Sequence, residues 1–141
     1  MSGTLLTYGA FSDFLEKALL AHVFGATAYT RPAGLWVALY TTAPTDTTPG
    51  SEPAQAGAYA RQPVTFAAAP DQPDGSSAVW NTAVLQWATA TADWGTITHC
   101  GVLDGLTGGN FLAGGALVTV KPVQIGDAVR FAANQLMLGL H

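Results

Sequence analysis

Charged side chains are scarce in this chain of 141 residues. Five residues are basic and nine are acidic, about 10% of the total, against roughly 25% in an ordinary soluble domain. So few charges leave little electrostatic repulsion to keep copies of a protein apart. The composition therefore predicts that neighbouring protein subunits cover much of the surface, as they do in a large assembly.

The five basic residues are also scattered, which argues against two classes of partner. Nucleic-acid binding needs clustered Lys and Arg to neutralise phosphates, and an anionic membrane surface attracts the same clusters. The longest apolar stretch, residues 18–28, is interrupted by His22 and Gly25 and is shorter than the roughly 20 residues of a membrane span. We therefore expect no nucleic-acid partner and no membrane partner.

A secretory signal is not expected either, because the first basic residue is Lys17 and no basic segment precedes an apolar one. The single cysteine, Cys100, excludes an intramolecular disulfide. In a strand it is expected to be a small buried side chain rather than a reactive thiol. These features predict synthesis in a cytoplasm.

Residues able to carry out catalysis are few. The three histidines, His22, His99 and His141, show no metal-site spacing with Asp, Glu or Cys. His99 and Cys100 are adjacent, so in a strand they point to opposite faces and cannot form a nucleophile–base pair. We expect no enzymatic activity, no cofactor and no metal.

An amphipathic helix is predicted near the N-terminus. Ser12 can cap its start, Asp13 and Glu16 lie near the positive end of its dipole, and Gly25 can end it. The residues with helical spacing that form its apolar stripe are Phe11, Phe14, Leu15, Ala18, Leu19, Val23 and Phe24.

The rest of the chain is typical of β-structure. Leu35–Tyr40 is apolar at both alternating positions, which predicts a central strand buried on both faces. About eight strands with one helix in front predict a mainly β fold, an antiparallel β-sandwich or jelly roll. We expect one domain over residues 1–141, with the N-terminal segment and helix in 1–25 and the sandwich in 33–141. The further strands are predicted at 64–67, 78–80, 84–88, 96–103, 111–118, 128–132 and 136–140.

Two polar loops, residues 42–57 and 70–77, lack any periodicity. Loops beyond about 12 residues are usually functional or mobile, so the first is either an arm onto a neighbouring subunit or a disordered surface loop. The apolar residues ahead of the helix pack either on the chain's own sandwich or on a neighbour.

Four tryptophans could form a carbohydrate platform or a protein interface, and the scarcity of charge favours the interface. Trp36 and Trp87 alternate with apolar residues and are predicted to lie in the core. Trp80 and Trp94 flank turns and are predicted to be exposed anchors. The candidate residues for a partner interface are Leu5, Leu6, Tyr8, Phe11, Thr45, Thr48, Pro49, Pro73, Trp80 and Trp94.

Six segments spread over nearly the whole chain carry a family resemblance. They are Phe14-Leu15-Glu16 with His22-Val23-Phe24-Gly25 and Ala28-Tyr29-Thr30, Leu35-Trp36-Val37-Ala38-Leu39-Tyr40-Thr41-Thr42-Ala43-Pro44-Thr45, Tyr59-Ala60-Arg61-Gln62, Ala92-Asp93-Trp94-Gly95-Thr96-Ile97-Thr98-His99, Thr107-Gly108-Gly109-Asn110 and Gly126-Asp127-Ala128-Val129-Arg130-Phe131. With them the chain resembles a family of small virion proteins of tailed bacteriophages, often labelled phage tail fibre proteins. It is also similar to the capsid cement proteins of Bordetella-type podophages.

The resemblance implies a non-enzymatic structural protein with a jelly-roll fold, located on the capsid surface of a virion assembled in the host cytoplasm. Its implied partners are the major capsid protein and further copies of itself, and its implied role is to stabilise the head by bridging capsid subunits. The alternative is a tail-tip or fibre-associated module that contacts a host receptor or glycan. Composition alone does not distinguish head from tail.

Overall fold

The computed structural model describes residues 10–140, with only the backbone of Ala10. One α-helix, α1 (Asp13–Val23), and one 3-10 turn, Gln55–Gly57, lie among strands. The strands are β1 (Ala10–Phe11), β2 (Leu35–Tyr40), β3 (Gln62–Val64), β4 (Phe66–Ala68), β5 (Ser77–Asn81), β6 (Leu85–Gln86), β7 (Gly95–Leu103), β8 (Phe111–Val123), β9 (Arg130–Phe131) and β10 (Met137–Leu140).

The described strands pair in an antiparallel manner in three sheets. A five-stranded sheet has the order β1-β8-β7-β2-β3, a three-stranded sheet has the order β10-β5-β4, and β6 pairs with β9. The main core lies between the large sheet and the two smaller ones, where Ile97 of β7 joins Leu85 and Leu138 in one cluster. The predicted mainly β sandwich with one N-terminal helix is confirmed.

Strand β2 is buried on both faces, as its sequence predicts. Val37 and Leu39 belong to the main core, whereas Ala38 and Tyr40 belong to a second cluster on the other face of the large sheet. All four side chains are 0% exposed. The strand is central because β7 and β3 pair with its two edges.

Two glycines allow aromatic rings to lie directly on the outer face of the large sheet. A Cβ atom on Gly101 would lie 2.6 Å from Cε2 of Tyr40, and one on Gly114 would lie 2.8 Å from Cζ of Phe111. The rings of Tyr40 and Phe111 meet edge to face with centroids 6.4 Å apart. Any larger residue at either glycine would displace this ring pair.

The helix begins and ends where the sequence predicts. The Ser12 hydroxyl accepts a hydrogen bond from the Leu15 N–H at 3.2 Å and donates one to the Phe111 carbonyl at 2.6 Å. This cap therefore also ties the helix to β8. At the other end the Gly25 N–H donates to the carbonyls of Leu20 and Ala21.

The strand boundaries differ from the predicted ones in several places. The predicted strands 84–88 and 128–132 are shorter in the structure, where β6 and β9 have two residues each. The predicted strand 64–67 is interrupted at Thr65, which separates β3 from β4, and β8 continues to Val123 instead of ending at residue 118. The two-residue strand β1 was not expected. Its pairing with Ala113 and Gly114 is a long-range contact that local pattern does not reveal.

Candidate interaction surface

The groups able to carry out chemistry are dispersed or buried. In the part of the chain that the structure describes, no three His, Cys, Asp or Glu residues come close enough to hold a metal ion. Cys100 is a buried free thiol, as predicted, and burial raises its pKa. His99 lies beside Thr98, with Nδ1 2.7 Å from the hydroxyl oxygen.

The most exposed apolar surface lies along α1 and directly after it. Phe14 is 43% exposed, Leu20 59%, Val23 64% and Phe24 82%, and no residue of the helix is buried. We call Phe14, Leu20, Val23 and Phe24 the helix patch. Val23 and Phe24 lie three and four residues after Leu20 and so share one side of the helix with it, and exposed apolar side chains grouped in this way mark interaction sites in soluble proteins.

The helix patch corrects one sequence expectation. The predicted apolar stripe does not pack as a unit against the sandwich: Phe14, Val23 and Phe24 face solvent. The other four members are half-buried, namely Phe11, Leu15, Ala18 and Leu19. These side chains are exposed because α1 packs mainly against β1 and β8, at one edge of the large sheet, so only part of the helix surface is covered. Leu20 lies outside the predicted stripe. It is four residues before Phe24, and this spacing in the sequence indicates a second row of apolar residues along the helix.

The loop 42–57 folds back onto the chain's own sheet beside the helix. The Thr41 N–H donates to the Ser51 carbonyl at 2.8 Å, and the Ser51 N–H donates to the Thr42 hydroxyl at 2.9 Å. The Asp13 N–H donates to the Asp46 carbonyl, also at 2.8 Å, which joins the loop to the start of α1. The segment is thus held on its own domain instead of extending away as an arm.

Hydrogen bonds and an ion pair around Glu52 hold the second half of the loop 42–57 in place. The Tyr59 hydroxyl donates to Glu52 at 2.6 Å and accepts from the Leu39 N–H at 3.0 Å. The Arg61 guanidinium contacts Glu52 at 2.7 Å and donates to the carbonyls of Gly105 and Gly108 at 2.8 Å each. Burial and the hydrogen bond to Glu52 raise the pKa of Tyr59. Nothing in the local sequence pattern indicated this network.

The predicted interface residues do not come together in one place. Thr45, Thr48 and Pro49 are exposed on the tip of the first loop, and Pro73 is exposed on the second loop. Phe11 and Trp80 are half-buried. Leu5, Leu6 and Tyr8 lie outside the described residues. Of the predicted set, the loop tip and Phe11 are therefore the parts that border the helix.

The prediction that Trp94 is an exposed anchor is wrong. Trp94 is only 4% exposed, and its indole N–H donates to the Gly57 carbonyl at 2.8 Å. Its ring also meets Tyr59 edge to face at 5.4 Å. The turn beside Trp94 suggested exposure, but the loop that returns through Gly57 covers the ring. Of the two tryptophans expected in the core, Trp87 is buried and Trp36 is half-buried.

An apolar groove opens between the two larger sheets on the helix side. Its volume is about 340 Å³. Leu15 of the helix and Phe11 of β1 form one wall, and Phe66, Val79 and Leu138 belong to the facing sheet. Together with the helix patch, the groove gives the helix side of the domain an apolar surface.

In the described part of the chain, no helix is long and apolar enough to cross a membrane. A protein-family model described as podophage GP4 fiber I protein gp80 matches residues 10–139. The chain belongs to this family. No curated protein matches the chain.

Membership of the podophage fiber I family confirms the predicted class of protein. The match extends from β1 into β10 and so includes the helix and both loops. The family consists of tailed-phage virion proteins, so the chain is a structural protein of a bacteriophage virion.

Proposed function

We propose that this virion protein is a capsid cement protein, which stabilises the phage head by bridging neighbouring major capsid subunits. The helix patch is the observation that carries the proposal. It presents three large apolar side chains on a helix that buries none of its residues, and a fourth, Phe24, directly after it. The exposed loop tip with Thr45, Thr48 and Pro49 lies beside the start of the helix, near Phe14, since Asp46 is bonded to Asp13.

The proposed mechanism is additive binding without chemistry. Complete burial of a Phe, Leu or Val side chain contributes about 1.5–3 kcal/mol, so the helix patch alone supplies several kcal/mol for one contact. A ligand that binds only the assembled shell stabilises that shell by mass action. The low content of charged residues suits a surface that loses water on assembly, because few charges have to be desolvated.

The binding test uses shells that lack the protein, with purified variants added back. We expect the double substitution Leu20→Ser and Phe24→Ser to weaken binding at least about a hundredfold, as the loss of two buried apolar contacts implies. Ile125→Ser is the matched control, because Ile125 is 68% exposed on a turn far along the chain. Equal binding of both variants would overturn the helix patch as the contact surface.

The functional test compares heads with and without the protein. Heads that lack it are expected to rupture at a lower temperature and a lower internal pressure. Equal stability of the two kinds of head would contradict the cement role, even if binding were found.

A second candidate is a module of the tail tip or tail fibre that contacts a host receptor or glycan. The family's description as a fiber protein favours it. Copy number separates the two candidates: quantitative mass spectrometry of purified virions should give a ratio near one to one with the major capsid protein for cement. A few per cent of that ratio, with an adsorption defect in the deletion mutant, would support the tail role.

A further inference from the structure

The chain turns back along α1 before it enters β2, through residues 25–34, which we call the return segment. The ring of Tyr29 in this segment meets the ring of Phe14 at the start of the helix, edge to face with centroids 6.4 Å apart. Tyr29 and Pro32 are half-buried, and the rest of 26–33 is exposed. Within residues 10–140, the hydrogen bonds of the return segment lead to the helix and not to the sandwich. The helix therefore holds this segment in place.

One of these hydrogen bonds has a histidine side chain as its acceptor. The Tyr29 N–H donates to Nδ1 of His22, in the last turn of α1, at 3.0 Å. Nδ1 can accept only while it carries no proton, so the neutral ring holds its proton on Nε2. When the ring takes up a second proton, both of its nitrogens become donors. The bond from Tyr29 is then lost, because two N–H groups face each other.

We propose that His22 is a pH-sensitive latch, which holds the return segment on α1 while its ring is neutral and releases the segment when the ring is protonated. A histidine side chain ordinarily changes its charge between pH 5 and 8. The latch is therefore closed above this range and opens as the pH falls through it. Val23 and Phe24 of the helix patch lie between the two bonded residues. The state of the latch thus decides how firmly this part of the patch is held.

The surroundings of His22 do not supply another bond to the protonated ring. Within the described part of the chain, the His22 side chain takes part in no ion pair, and its hydrogen bond is the one from Tyr29. Burial and, after it, the charge of Asp104 raise the pKa of Tyr29, so Asp104 lies near the return segment. The charged residues on the elements around His22 are Asp13, Glu16 and Lys17 of the helix, Arg31 of the return segment, Asp46 of the loop 42–57, Asp104 after β7 and Lys121 of β8.

The consequence for binding rests on the proposed contact through the helix patch. While the latch is closed, Val23 and Phe24 are held at both ends of a short loop, so little has to be ordered when a partner covers them. Opening the latch adds that ordering to the cost of binding. We expect binding to empty shells to weaken roughly two- to tenfold at about pH 5. Unchanged binding with a working latch would count against the helix patch as the contact surface and not against the latch.

Backbone NMR relaxation of the free, full-length protein tests the latch without any partner. At about pH 7.5 the order parameters of residues 26–30 should be near about 0.85, the value of rigid backbone, and at about pH 5 they should fall below about 0.6. Aspartate and glutamate side chains are ordinarily ionised at both pH values, so the change reports on histidine. Equal order parameters at the two pH values would overturn the proposal.

Two substitutions separate His22 from the other groups that titrate in this range. His22→Asn puts an amide oxygen close to the position of Nδ1, and this acceptor keeps its character at both pH values. The return segment of this variant should stay ordered throughout. His22→Phe keeps a ring but has no acceptor, so its return segment should be mobile at both pH values. A loss of order in acid with His22→Asn, or an ordered segment with His22→Phe, would contradict the latch.

Discussion

Strand β2 and helix α1 are both strongly apolar, yet the strand is buried in the core and the helix is exposed at the surface. The last four residues of β2 are completely buried, and they supply core on both faces of the large sheet. The helix buries none of its residues, and Phe24 directly after it is 82% exposed. Apolar periodicity therefore identifies the type of element correctly in both cases. It does not say whether the apolar surface is covered by the same chain or by another one.

The largest expected effect contrasts one leucine from each region. Leu39→Ala in β2 should lower the free energy of unfolding by about 2–5 kcal/mol, because it leaves a cavity in the core. Leu20→Ala in the helix should change it by less than about 0.5 kcal/mol, because the side chain is already 59% exposed. Urea denaturation of the two variants gives both values. Similar losses would remove the distinction between the two regions.

The network around Glu52 is expected to have the next largest effect, since it holds the loop that borders the helix. Arg61→Met removes the ion pair with Glu52 and the bonds to Gly105 and Gly108. The expected loss is about 1–3 kcal/mol in the same assay. Arg61→Lys is the control: it keeps the charge but not the planar fork, and should recover only part of the loss. Full recovery would mean that charge alone matters.

Alkaline pH should lower the free energy of unfolding, because two tyrosines of the core are buried. Burial raises the pKa of Tyr40, and burial with the Glu52 hydrogen bond raises that of Tyr59. The unfolded chain ionises these groups near pH 10 while the folded chain keeps them neutral. The two tyrosines therefore lower stability only above about pH 10, by up to about 1.4 kcal/mol per pH unit each, whereas the buried Cys100 thiol begins to lower it above about pH 8.5, where the unfolded thiol ionises.

Tyr40→Phe isolates one of these two contributions. The Tyr40 hydroxyl is buried with no hydrogen-bond partner among the described residues. The substitution should therefore cost little at pH 7 and should make the decline above pH 10 less steep in denaturation measured at several pH values. An unchanged slope would show that Tyr40 does not contribute to it.

Much of this fold is predictable from local pattern because strands, caps and turns depend on neighbouring residues. Strand β2, the Ser12 cap and buried Cys100 are examples. Trp94 is the opposite case: its burial depends on the Gly57 carbonyl, 37 residues away, which no local pattern reveals. The exposure of Leu20 and Phe24 could not be predicted either, because it depends on where the helix sits on the sheet.

The smallest expected effect on stability belongs to the helix patch. Leu20→Ser with Phe24→Ser should change the free energy of unfolding by less than about 1 kcal/mol, because both side chains lie largely in solvent. A circular dichroism melt of the purified protein measures it. A large loss would mean that the patch is part of the chain's own core and would weaken the case for a partner.

The most direct test of the account is hydroxyl-radical footprinting of the protein, free in solution and within intact virions, read by mass spectrometry. We predict that labelling of Leu20 and Phe24 falls strongly in the virion, because a neighbouring subunit covers the helix patch. Equal labelling of these two residues in both states would contradict the claim that this helix is the protein's interaction surface.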